Sequence, residues 1–304
     1  MNTHLPHMED LLNMIPNIAT IVPVHNELES TKRFLSSYYA SLDRSSAKGH
    51  CSLFIVDDGS TDGTFEWMSE FYPEVKVLHG DGSLWWSGSV NKALRHITDK
   101  PFTHFLLFNN DNIVDSDFFT NLAKAIDEIG NNKIISSKVI NIHPEEHIGN
   151  GGVIFDRKKV KYINNIDSDK RAIVNTAGGM GVIIPLDIIH KVGLFNALSF
   201  PQKSGDTDFY LRAEKAGIQV NYYPSMKVYN DNSITGFSGN STFRGLIQAY
   251  SFPKGYMNPG VDLKLYLAHG NHYWAIYRVV KNNIVFIVVG LVRIIKVFLK
   301  NLFK

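Results

Sequence analysis

Apolar runs of strand length alternate with helix-spaced segments through Ile129, and three of those runs end abruptly in polar residues. Residues 18–24 read as a strand with Pro23 near its end, and 29–42 place Phe34, Leu35, Tyr38, Tyr39 and Leu42 at helical spacing. Strands are predicted at 53–56, 75–78 and 105–108, and helices at 64–71, 89–97 and 118–129. This β-α-β-α order predicts a parallel, doubly wound sheet with right-handed crossovers. Ligands of such sheets sit just beyond the C-terminal ends of the strands. The polar tips are therefore where chemistry is expected. From Ile134 the pattern loosens into short strands and Gly/Asn-rich turns (149–152, 178–179). A helix returns at 206–215, closed by Gly217 as a C-cap.

Composition removes several classes. The chain has 304 residues, is 44% hydrophobic and 20% charged, which fits an ordinary globular core. A net charge of only +2 carries no nucleic-acid signature. Cys51 is the sole cysteine, so no intramolecular disulfide forms, and its use fits a reducing, cytoplasmic setting. Residues 1–16 carry Glu9 and Asp10 without a long apolar run, and read as an extension rather than a signal peptide. Residues 17–245 read as one α/β domain and 246–304 as a basic helical segment.

That segment has its own chemistry. Asp262 is the last acidic residue; Lys264, Arg278, Lys281, Arg293, Lys296, Lys300 and Lys304 follow. The apolar run 284–292 is too short to span a bilayer, which takes about 20 residues. Arg293, Lys296, Lys300 and Lys304 recur at helical spacing as a basic stripe among Ile294, Ile295, Val297, Phe298, Leu299, Leu302 and Phe303. This is the pattern of a helix lying on an anionic membrane surface, peripheral to the cytoplasmic face. The other expectation is a terminal helix packed on the core or on a second subunit.

The strand ending Leu106-Leu107-Phe108 runs into Asn109-Asn110-Asp111-Asn112. A lone carboxylate among oxygen donors suits a hard cation, Mg²⁺ or Mn²⁺, bridging to phosphates. Asn and Asp as ordinary turn residues are the plainer alternative. The first strand ends in Val22-Pro23-Val24-His25-Asn26-Glu27, the second in Val56-Asp57-Asp58-Gly59-Ser60-Thr61-Asp62-Gly63-Thr64. Together the three segments resemble the family 2 glycosyltransferases, over roughly residues 17 to 235. The resemblance implies a glycosyltransferase A fold: α/β, with a Rossmann-like, mostly parallel central sheet flanked by helices, here followed by a helical C-terminal tail.

It also implies roles. Asp57 and Asp58 stand on the nucleoside of a nucleotide-diphosphate sugar, one of them binding it while the other caps the helix near Asp62. Pro23 and His25 wall the base, with Asn26 and Glu27 beside them. Asp111, with Asn109 and Asn110, matches the Asp-x-Asp motif, in which Asn109 replaces the first Asp. Asp111 is the expected metal ligand. Many relatives add a His after a later strand; Asn230 or Asp231 stands there. The loop 79–92 carries Gly82, Trp85, Trp86 and Asn91 on the donor side. Its glycines permit close approach of a ligand, and the Trp pair either stacks on a sugar or packs in the core.

Gly178-Gly179-Met180-Gly181 and Gly205-Asp206-Thr207-Asp208 look like the family's second signature, a glycine-rich acceptor strand and an acidic helix start. Asp206 aligns with the catalytic base, where the family usually has Glu-Asp in place of Gly205-Asp206. Gly178, Gly179 and Met180 are expected at the acceptor, and Asp208 in a structural or acceptor contact. The resemblance implies an inverting enzyme that moves a hexose or deoxyhexose to a glycan or lipid-linked glycan. Three alternatives compete with it. A sugar nucleotidyltransferase needs a basic, glycine-rich loop where this chain has His25-Asn26-Glu27-Leu28-Glu29, and a dinucleotide oxidoreductase needs Gly-x-Gly-x-x-Gly there. A non-catalytic nucleotide-sugar binder with a decayed site is the third.

Overall fold

The computed structural model describes residues 15–142, 147–149, 151–163, 168–231, 244, 247, 250 and 258–302. Most of the N-terminal extension, the 245/246 boundary, Asn150, Phe303 and Lys304 lie outside the described residues.

The first half builds β1 (Ile18–Val24), α1 (Leu28–Leu42), β2 (Cys51–Asp57), α2 (Thr64–Phe71), β3 (Lys76–His79), α3 (Trp85–Ile97) and β4 (His104–Leu107). There follow β5 (Asn112–Val114), α4 (Phe118–Ile129), β6 (Ile134–Asn141) and β7 (His147–Ile148). Next come β8 (Ile154–Asp156), β9 (Lys161–Ile163), β10 (Ala172–Val174) and β11 (Val182–Pro185). The chain continues through α5 (Ile188–Val192), α6 (Gly205–Lys215), β12 (Val220–Asn230), α7 (Pro259–His269) and α8 (His272–Leu302).

The main sheet runs β10-β12-β6-β11-β4-β1-β2-β3, with β5 on β12 and β7 on β6; β8 and β9 form a separate hairpin. β1 pairs in parallel with both β2 and β4, and β2 with β3. Strand order reverses at β1, so the crevice of an open α/β sheet lies over the ends of β1, β2 and β4. Central strands bury both faces. In β1, Ile18 and Val22 enter one core while Ala19 and Ile21 enter the other. Strands covered on both sides read as unbroken apolar runs for this reason.

The far half of the sheet is mixed, so the whole is the mostly parallel sheet expected from the sequence rather than a purely parallel one. β11 lies antiparallel to both β4 and β6. Parallel neighbours need a long crossover, usually a helix. Among the described residues no helix lies between β6 and β11. A smaller core of Phe155, Phe200, Leu211, Val261, Leu265 and Ala275 joins α7 and α8 to α6. Polar clamps reinforce it: Lys203 Nζ meets Asp262 Oδ1 at 2.6 Å, and Arg157 Nε donates to Glu214 Oε2 at 2.9 Å.

Candidate active site

The start of α3 organises the crevice. It begins at Trp85, four residues before the expected Ser89, so both tryptophans belong to the helix rather than to the preceding loop. The cause is Asp58. Its Oδ1 accepts the Gly82 N–H at 2.9 Å and its Oδ2 accepts the Trp85 N–H at 3.0 Å. A buried carboxylate on exposed N–H groups at a helix start is a stabilising cap. The close approach permitted by the loop glycines is to this carboxylate. A Cβ on Gly80 would lie 2.3 Å from Asp58 Oδ1. The helix near Asp62 is capped by Asp62 itself, whose Oδ1 takes the Thr64 N–H at 3.2 Å and whose Oδ2 takes the Leu28 N–H at 2.9 Å. The expected division of labour between Asp57 and Asp58 is thus corrected: neither caps that helix. Asp57 Oδ1 closes the turn by accepting the Ser60 N–H at 2.9 Å.

Asp58→Ala strips two N–H groups of their acceptor at a position only 4% exposed. The expected loss is about 1–3 kcal/mol of stability, visible as a lower denaturant midpoint at unchanged slope.

One cleft opens over the strand ends. Pro23, His25, Glu27, Asp58, Gly82, Trp85, Trp86, Asn109, Asn110 and Asp111 line it, as do Val24, Ser89 and Gln202. His25 Nδ1 sits 2.6 Å from the Asp58 carbonyl, which sets the ring against the cleft. Asn26 does not line it: its N–H donates to Ser60 Oγ at 2.7 Å and its Oδ1 accepts the Thr61 N–H at 2.9 Å, tying the first two strand tips together. Asn91 also lies elsewhere. It is buried, with both side-chain ends on the Phe195 backbone at 2.8 and 3.0 Å.

The Asn109–Asn112 turn is self-braced. The Asn109 N–H donates to Asn112 Oδ1 at 2.9 Å, and Asn112 Nδ2 donates to Asp111 Oδ1 and Asn230 Oδ1, both at 3.2 Å. Asn112, fully buried, is a supporting residue that sequence reading did not single out. Asn230 is further held by Asn141 at 3.0 Å, and Asp231 Oδ2 accepts from Arg33 at 2.8 Å. Neither of these two lines the cleft, so the expectation of a further metal ligand at Asn230 or Asp231 gives way to a bracing role.

A second cleft lies alongside. Gly178, Met180, Asp206, Tyr162, Thr176, Lys203, Ser204 and Thr207 are among its walls. Asp206 accepts the Thr207 N–H at 2.6 Å. Burial lifts its carboxyl from an ordinary 3.8 to about 6, with the backbone N–H groups of Thr207 and Gly179 pulling the other way. Asp208, one turn position on, points into neither cleft lining. Its oxygens meet His269 Nε2 and Arg212 Nε, both at 2.8 Å. Burial raises the Asp208 carboxyl, but the His269 hydrogen bond and the Arg212 charge outweigh it and hold the group below its usual range. Asp208 is therefore a clamp between α6 and α7 rather than an acceptor contact.

Trp86 stands between the two clefts. Its Nε1 donates to Asn109 Oδ1 at 2.9 Å on one side. On the other its ring lies so close to Gly179 that an added Cβ would come within 2.3 Å of it. Gly205 has a similar cause. A Cβ there would lie 2.2 Å from Ser87 Oγ and 3.0 Å from the Phe200 carbonyl, so a side chain before Asp206 would require Ser87 to move. The first turn of α3 also pins the neighbouring loop, with the Ser87 N–H donating to the Pro201 carbonyl at 2.8 Å.

The donor set bears on a metal. Among the described residues the charged side chains lining the first cleft are Glu27, Asp58 and Asp111, with neither Lys nor Arg. These carboxylates repel a diphosphate unless a cation accompanies it. Among the described residues no group of three His, Cys, Asp or Glu forms a ready-made metal cage. Asp111 and the phosphates together suit Mg²⁺ or Mn²⁺, which is commonly held by one or two carboxylates plus substrate phosphates.

A Rossmann-like sheet with an acidic crevice at its switch point and a separate acidic helix start defines a glycosyltransferase of the A fold. The chain belongs to glycosyl transferase family 2, whose family model matches residues 19–183. No curated protein sequence matches the chain. Among solved structures, GalNAc-T7 with UDP, GalNAc and Mn²⁺ is similar at TM-score 0.55 and 11% identity, over 88% of this chain and 57% of that one. Staphylococcus aureus TarS 1-349 is similar at TM-score 0.53 and 14% identity, over 83% of this chain and 70% of that one. A longer TarS structure gives TM-score 0.54 and 15% identity, over 84% of this chain and 44% of that one. The chain thus spans little more than half the length of GalNAc-T7, and at these identities the likeness is one of fold.

Proposed function

We propose that the protein is an inverting glycosyltransferase that moves a hexosyl or deoxyhexosyl group from a nucleotide-diphosphate sugar to a hydroxyl of a glycan or lipid-linked glycan. The observation that carries this reading is the pair of adjoining clefts, one holding Asp111 and the other Asp206, parted by Trp86 and Gly179. The donor occupies the first cleft, with Pro23 and His25 beside the base and Asp58 below the ribose, while Asp57 holds the turn beneath them. Asp111 would hold Mg²⁺ or Mn²⁺, which supplies charge neutralisation to the departing diphosphate.

The acceptor enters over Gly178, Gly179 and Met180. Asp206 takes the proton of its hydroxyl as the oxygen bonds to the anomeric carbon from the face opposite the diphosphate. The bond from that carbon to the diphosphate oxygen breaks in the same displacement, and the nucleoside diphosphate leaves. A carboxyl lifted to about 6 is mostly ionised at neutral pH yet basic enough to accept the proton.

A thermal-shift panel of nucleotide sugars with Mn²⁺, followed by assay of donor turnover, tests this. At least one donor is expected to raise the melting temperature and to be consumed. Stabilisation without turnover would support a nucleotide-sugar-binding protein instead. No stabilisation by any donor would end the reading.

A further inference from the structure

We propose that α8 docks the protein on an anionic lipid bilayer, lying along its surface. The helix has three sides. Ala275 and Val279 recur at helical spacing and are buried against Val261, Leu265 and Tyr266 of α7. A second side is open and mainly apolar: Ile284, Val288, Leu291, Val292 and Ile295 are 43–57% exposed, with Lys281 among them. Between these lies a flank on which Arg278, Arg293 and Lys296 fall together at 3.6 residues per turn, beside exposed Val285 and Val289.

Charge decides the occupant. α8 contains no acidic residue, and Asp262 is the last in the chain. A second copy of α8 on this face would set like charges against each other with no carboxylate to pair them. An anionic bilayer offers both an apolar boundary and negative headgroups, the surface on which basic amphipathic helices settle. Among the described residues no helix is long and apolar enough to span a membrane. Exposed tyrosines and Trp274 at the start of α8 (Tyr273 at 71%, Tyr277 at 44%) suit the headgroup level, where aromatic rings with a polar edge collect. α7 then carries the docked helix to the second cleft, because Lys203 in that cleft is paired with Asp262 at 2.6 Å.

The inference does not depend on the transfer reaction, and the two are read by separate assays. The full chain is floated with vesicles of phosphatidylcholine alone and with vesicles containing phosphatidylglycerol. Binding is expected to the second kind, falling as salt is raised. R293Q/K296Q is expected to weaken it roughly thirtyfold, at about fivefold per charge. I284D/V288D is expected to abolish it. Both variants alter exposed side chains, and an unchanged melting temperature certifies that they fold. Equal binding to neutral vesicles, indifference to R293Q/K296Q, or no vesicle binding alongside a concentration-dependent dimer in light scattering would each overturn the proposal.

Discussion

Asp206→Asn is expected to lower transfer by about 10²–10⁴-fold, the usual contribution of a positioned general base, while making the protein more stable at neutral pH. The two effects share one cause. Burial lifts the Asp206 carboxyl to about 6 from 3.8, so the folded state holds that proton more tightly than the unfolded chain does. The stability this contributes is fully present below the unfolded value and is lost as pH rises through the folded one. Above pH 6 the native protein therefore carries the cost of a buried charge that the Asn variant lacks. The variant's melting temperature should exceed the parent's by several degrees at pH 7–8, and the gap should close near pH 4. The acidic limb of the parent's kcat/KM profile should fall near pH 6 and vanish with the variant's activity. Full turnover would remove Asp206 as base. A melting temperature lower than the parent's at pH 8 would remove burial as the source of its shift.

Asp111→Ala is the second large expectation. Metal-dependent stabilisation by nucleoside diphosphates should collapse to the level seen with a chelator, and transfer should fall at least about 10²-fold. That figure follows from several kcal/mol of charge neutralisation at 1.36 kcal/mol per factor of ten. The fold should survive, because Asn112 still braces the turn through the Asn109 N–H and Asn230. Titration with Mn²⁺ at fixed nucleoside diphosphate checks it. A variant that keeps the parent's metal dependence would place the cation elsewhere.

The parallel half of the fold was legible because its signals are local. The helix expected at 64–71 matches Thr64–Phe71, and the strand expected at 18–24 matches Ile18–Val24. The central strands β1, β2 and β4 are largely buried and each helix buries one side, so period and length carry the assignment. Beyond Ile134 parallel and antiparallel pairings mix at long range, β12 lying parallel to β6 while β10 and β11 run antiparallel to their neighbours, and no local period encodes such partners. The candidate site divides in the same way. Ten of the expected donor-side residues line the first cleft, since strand tips at a switch point need only strand order to be placed. Asn26, Asp57, Asn91 and Asp208 were expected at ligands and instead hold the backbone or another side chain. A short polar side chain near a motif looks alike in sequence whether it faces a substrate or a neighbouring carbonyl. Gln202 and Ser89 were missed because they reach the cleft from a loop and from one turn into a helix.

Gly205 could be anticipated only as a departure from the family's Glu-Asp pair; its reason, Ser87, lies over a hundred residues away in the chain. Asn109 gains a reason too. Its oxygen receives the indole N–H of Trp86, a partnership that an amide supports without adding another negative charge to an already acidic crevice.

If the donor and acceptor bind as proposed, that indole makes the two substrates' tastes hard to tune apart. A smaller ring at 86 would widen the sugar's berth and, in the same stroke, vacate the surface on which the glycine strand rests. Lineages that change donor should accordingly carry paired replacements at 86, 109 and 179, and single replacements should tend to blur selectivity for both partners at once.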